Sequence, residues 1–177
     1  SKNFDKDEIY SLKNELKLSN PFTKNSEFIN AVNLLSNSIE NNQTIYIIGD
    51  YDVDGCISAS LIVKFLKSIK AKYHYYIPNR FIDGYGSSLN LIKKIEIKKP
   101  NLVIMVDNGS SSYEAIDYLN QKHIKSIIID HHEIYKPYPK SNVLINPKKN
   151  TDYSVYNYFS SGVLTYFFID LFIKNTI

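Results

Sequence analysis

Residues 102–106, LVIMV, form an unbroken apolar run with no polar residue to turn toward water. A strand with one wet face alternates polar and apolar residues, so a strand that is apolar throughout must be covered on both sides. Shorter β-rich runs recur at 44–48, at 73–77 (closed by Pro78), at 126–129 and, after a proline-containing loop, at 143–145. Segments with helical spacing lie between them. The one over 56–70 puts Ile62, Phe65, Leu66 and Ile69 on one face; others cover 87–99 (stopped by Pro100), 112–123 and 158–174. This alternation predicts an α/β fold, a mostly parallel β-sheet with helices on both faces. The first forty residues read as two helices, broken at Asn20-Pro21, the second carrying a stripe of Phe28, Val32, Leu35 and Ile39. The expected division is a helical lead-in, 1–40, and one larger domain, 41–177.

Composition narrows the function classes. Hydrophobic residues make up 44% and charged residues 22%, so a packed core is expected and wholesale disorder is excluded. A formal charge of only +3 excludes a nucleic-acid binder that works by bulk basicity. One cysteine, Cys56, excludes a disulfide scaffold and suits a reducing cytoplasm. It reads as a small buried apolar residue at a helix start. The longest strongly apolar stretch, 163–173, contains Asp170 and is too short to span a bilayer, so no membrane role is expected. The chain opens on Ser1 and ends inside an apolar helical pattern, and is read as a piece of a longer protein.

In parallel sheets ligands bind beyond the carboxyl ends of the strands, so the residues that follow each run are the informative ones. They are Asp50-Tyr51-Asp52-Val53-Asp54-Gly55, Asn79-Arg80-Phe81-Ile82-Asp83-Gly84-Tyr85-Gly86, Asp107-Asn108-Gly109 and Asp130-His131-His132-Glu133. One strand-terminal aspartate is ordinary turn chemistry. Five aspartates and two histidines gathered on one rim would repel one another if left bare, and divalent cations reverse that balance. Mixed carboxylate and imidazole donors suit Mn²⁺ or Mg²⁺ better than a thiolate-rich zinc site. The first segment also copies half of a calcium-binding EF-hand loop. That loop needs a preceding helix and a glutamate at its twelfth position. Here a strand precedes and Leu61 stands at that place, which excludes the EF-hand.

GDYDVDG (49–55), NRFIDGYG (79–86), VDNG (106–109) and DHHE (130–133), in this order and spacing, resemble the DHH phosphoesterase superfamily. Within it they are most similar to the RecJ-like single-strand-specific exonucleases. The likeness runs from about Leu18 to the FSSGV segment ending near Gly162. It implies that 41–177 is a DHH catalytic domain whose metal ligands are Asp52, Asp54, Asp107 and His131, with Asp107 bridging a pair of Mn²⁺ or Mg²⁺ ions. By the same resemblance Asp50 is an acid close to the metals, His132 contacts the scissile phosphate, and Asp130 orients its neighbours. Arg80, the single arginine among 21 basic residues, would grip a terminal 5′-phosphate, a task its planar fork fits.

The activity implied is 5′-to-3′ hydrolysis of single-stranded DNA in repair and recombination; which repair or replication proteins it meets is not legible in the sequence. The alternatives are a DHH phosphoesterase acting on short oligonucleotides, cyclic dinucleotides or pyrophosphate, and an inactive DHH scaffold. RecJ-like proteins carry one more ligand aspartate after FSSGV, then a second lobe and an oligonucleotide-binding fold. The expectation for this segment alone is therefore weak metal binding and little activity. Eight lysines (64, 67, 70, 72, 93, 94, 98 and 99) read as solvated helix faces. Tyr73, Tyr75, Tyr76 and Tyr85 read as sheet-surface or core residues, with base stacking as the functional alternative.

Overall fold

The computed structural model describes residues 19–79, 81, 83, 86–149 and 156–176. The first of the two expected N-terminal helices, together with Arg80, Gly84 and Tyr85, lies outside them.

The first described helix, α1 (Ser26–Glu40), begins where the Asn25 side chain accepts the amides of Glu27 and Phe28. There follow β1 (Ile45–Ile48), α2 (Val53–Ser68), β2 (Tyr73–Tyr76), α3 (Leu89–Ile95) with a 3₁₀ turn at Glu96–Lys98, and β3 (Leu102–Val106). Then come α4 (Tyr113–Gln121), β4 (Lys125–Ile129), β5 (Val143–Ile145) and α5 (Ser161–Thr176). All five strands pair in parallel, in the order β2-β1-β3-β4-β5. The unbroken apolar run is the central strand, and every one of its residues is buried.

Strand residues feed two cores by turns, as the period of two requires. Ile45, Ile47, Leu102, Ile104, Val106, Ile127 and Ile129 face α1, α2 and α5. Tyr46, Ile48, Val103, Met105 and Ile128 face α3 and α4. The expected parallel α/β sheet with both faces covered is thus the observed one. The eight lysines are all exposed. Tyr75 is exposed as well, while Tyr73 and Tyr76 are half-buried. Among the described residues no helix is long and apolar enough to cross a membrane.

Cys56 departs from expectation: its side chain is exposed. The helix starts at Val53 rather than Cys56, because Asp52 caps it by accepting the Gly55 amide at 2.9 Å. That start sends Gly55, Ser58, Ala59 and Ile62 inward, and Cys56 falls off the buried stripe.

Candidate metal centre

The chain leaves β1 in one direction and β3 in the other, so a crevice opens between their carboxyl ends. Asp50 lies just past β1, Asp107 directly follows β3, and Asp130 directly follows β4. Ladder bonds continue through the last two: the Asp107 amide donates to Ile129 O and the Asp130 amide to Ile145 O, each at 2.9 Å. The aspartates are therefore held by the sheet itself.

One side-chain donor atom each from Asp50, Asp52 and Asp107 lie within 4.8 Å of one another. Atoms from Asp107, His131 and His132 form a second such cluster, and Asp107 belongs to both. Asp107 is fully buried with φ of 61°, and neither of its carboxylate oxygens has a hydrogen bond. His131 Nε2 stands 3.4 Å from one of them, an ion-pair separation. Burial pushes the Asp107 carboxyl above its usual range against the opposing pull of His131, and the same pairing raises His131. A buried carboxylate with no hydrogen bond and only one imidazole beside it is costly unless a cation completes it. The donor set of carboxylates and imidazoles fits a hard or borderline divalent ion.

The remaining candidates hold the others in place. Asp50 is buried, its oxygen accepts the Tyr51 amide, and burial raises its pKa. Gly55 makes room for it, since a Cβ there would stand 2.5 Å from Asp50 N. Asp130 Oδ1 takes His132 Nδ1 at 2.7 Å and the His131 amide at 2.8 Å, and Oδ2 takes the Ser110 amide at 3.0 Å. Burial alone would raise Asp130, but the His132 and Ser110 bonds win and hold it at about 2. The same bond to Asp130 raises His132.

Asp54 sits in the first turn of α2, 3.7 Å from His131 Nε2 and outside both clusters. Its two oxygens accept the amides of Ser161 (2.8 Å) and Gly162 (3.0 Å), the start of α5. Asp50, Asp52, Asp107, Asp130, His131 and His132 are thus brought together, with Asp54 at the margin.

Three supporting groups were not among the sequence candidates. Asn146 follows β5 as Asp107 follows β3, and its amide donates to His132 O and Ser110 Oγ. Asn108 donates to Ile48 O and Val106 O, tying the ends of β1 and β3, and accepts from Ser87. Ser110 anchors Asp130. Strand-end position alone could have flagged Asn146, and Asn108 stood inside the VDNG segment without being assigned a role; nothing local marks Ser110. A cleft of about 470 Å³ opens beside Asp130 and His132, walled by serines 87, 88 and 110–112 and by Tyr113.

The DHH family, N-terminal domain, matches residues 44–175. The single-stranded-DNA-specific exonuclease RecJ of Dickeya dadantii is 36% identical over 118 residues, 66% of this chain and 20% of that protein. RecJ of Escherichia coli is 33% identical over 128 residues, 72% of this chain and 22% of that protein. The chain thus spans about a fifth of these relatives' length. The crystal structure of exonuclease RecJ bound to manganese superposes with a TM-score of 0.75 at 22% identity, over 84% of this chain and 38% of that one. That likeness carries the fold, and the family match carries the rest: this chain belongs to the DHH family, through its N-terminal domain.

Proposed function

We propose that this chain is part of the catalytic core of a metal-dependent exonuclease that degrades single-stranded DNA from its 5′ end. The observation that carries the reading is Asp107, buried without a hydrogen bond and shared by two clusters of potential ligands. In this reading Asp52, Asp54, Asp107 and His131 are ligands, Asp107 lies between two ions, and Asp50 stands beside them. A pair of Mn²⁺ or Mg²⁺ ions would supply an activated water and neutralise charge on the phosphate. No side-chain nucleophile is required. Asp130 fixes the His132 ring through Nδ1 and favours its charged form, which suits it to a phosphoryl oxygen that gains negative charge. Arg80 takes the terminal 5′-phosphate.

The domain division into a lead-in, 1–40, and a catalytic part, 41–177, belongs to the same proposal, although α1 packs into the shared core with α2 and α5. So does a cytoplasmic role in DNA repair and recombination. RecJ relatives act on single-stranded DNA by name, and the active part of this protein is proposed to do the same.

The test uses the complete natural protein with Mn²⁺ on long 5′-phosphorylated single strands, on duplexes and on dinucleotides. Mononucleotide release from single strands alone is expected. Preference for dinucleotides would replace the exonuclease reading with that of a small-substrate phosphoesterase. Absence of hydrolysis with every divalent metal would leave a scaffold.

A further inference from the structure

Every acid of the metal centre but one is oriented by a backbone amide. Asp50 accepts the Tyr51 amide, Asp52 that of Gly55, Asp54 those of Ser161 and Gly162, and Asp130 those of Ser110 and His131. Asp107 accepts none, although it is fully buried and belongs to both clusters of potential ligands. A ligand carboxylate is ordinarily held by hydrogen bonds from its surroundings, which fix the lone pairs that face the metal. Among the described residues three hydroxyl oxygens are likewise buried without a hydrogen bond, those of Ser141, Ser161 and Thr165. Ser161 is the one beside Asp107. It is 0% exposed, and its amide donates to Asp54 Oδ2, the oxygen 3.7 Å from His131 Nε2. The same imidazole nitrogen stands 3.4 Å from Asp107 Oδ1. The Ser161 hydroxyl is near enough to draw the Asp107 carboxyl down, yet no hydrogen bond joins the two.

The hydroxyl also lacks a local use. Ser38 and Ser58 direct theirs to the carbonyl four residues back, Leu34 O at 3.0 Å and Asp54 O at 2.7 Å. Ser161 opens α5, so no preceding turn of that helix offers it a carbonyl. We infer that Ser161 is a positioning residue of the metal centre: when cations engage Asp107, its hydroxyl donates to a lone pair they leave and holds the carboxylate in the orientation that serves both clusters. The inference rests on the ligand role proposed for Asp107 above. A carboxylate oxygen has two lone pairs, so a cation and a hydroxyl can share it, and a hydroxyl turns to its acceptor without moving the backbone.

The test measures Mn²⁺ binding by calorimetry, and urea unfolding without divalent ions, both on the complete natural protein. Ser161→Ala removes an unmatched buried hydroxyl, so the metal-free protein is expected to hold or gain stability. The same variant is expected to bind Mn²⁺ about tenfold more weakly. A residue that only packs would not move these two readouts in opposite directions. Thr165→Val removes the other unmatched hydroxyl of α5, one turn on, and is expected to keep Mn²⁺ affinity within about twofold. Ser161→Cys, close in size and a weak donor, is expected to fall between wild type and Ser161→Ala; it decides the matter if Ser161→Ala does not fold. Unchanged Mn²⁺ affinity in Ser161→Ala, a clear loss of its metal-free stability, or an equal loss of affinity in Thr165→Val would each overturn the inference. A wild type that binds no Mn²⁺ would overturn it together with the metal centre. A wild type that binds Mn²⁺ but hydrolyses no DNA would remove the nuclease reading and leave these affinities to judge Ser161.

Discussion

Asp107 carries opposite costs in the two states of the site. Without an ion its buried carboxylate has no hydrogen bond, and the fold bears the desolvation. Asparagine keeps the shape, removes the charge and tolerates the left-handed φ of 61°. Asp107→Asn is therefore expected to stabilise the metal-free protein by about 1–3 kcal/mol in urea unfolding. The same variant is expected to lose measurable Mn²⁺ binding by calorimetry. A destabilised, still metal-binding variant would show that Asp107 is paired in solution and is no ligand. The positions of Asp107 and Asp130 were legible because each directly follows an apolar run. Their partners were not. Asp54 meets Ser161 107 residues downstream, and no local pattern encodes a contact at that distance.

Helix α5 shows how an apolar element is held at both ends by polar contacts. Leu164, Phe167, Phe168, Leu171 and Phe172 bury its long stripe. Near its far end Asp170 accepts from Lys174 at 2.8 Å and from Asn20 at 2.9 Å. Partial burial opposes ionisation of Asp170, but these two donors prevail and its pKa is lowered. A carboxyl depressed in the folded state stabilises fully above its unfolded value, near ~3.9, and the benefit is lost as pH falls through the folded value. Asp170→Asn is thus expected to cost on the order of 1 kcal/mol at neutral pH and to match wild type in strong acid. A constant difference across that window in pH-dependent thermal unfolding would refute the assignment. The period of this helix could be read from sequence, and so could the neighbouring strands. Helix starts were harder: the cap at Asp52 moved α2 forward to Val53 and turned Cys56 outward.

At the scale of the molecule, topology does most of the work. A parallel order of β2-β1-β3-β4-β5 brings residues about 80 positions apart in sequence, Asp50 and Asp130, to one rim. The unbroken run at the centre made that sheet readable, since a strand apolar throughout must be covered on both faces. The serine-walled cleft was not readable, because it forms only where loops after β2, β3 and β4 meet. One tie crosses the layer from α2 to α5: both oxygens of Asp54 are engaged by the opening amides of the last helix. A cation that recruited this carboxylate would use its remaining lone pairs and, by drawing on its charge, weaken its hold on those amides. Deuterium uptake at Ser161 and Gly162 is then expected to quicken on Mn²⁺ loading while the rest of the helix stays protected, an isotope-exchange gauge of occupancy that requires no substrate.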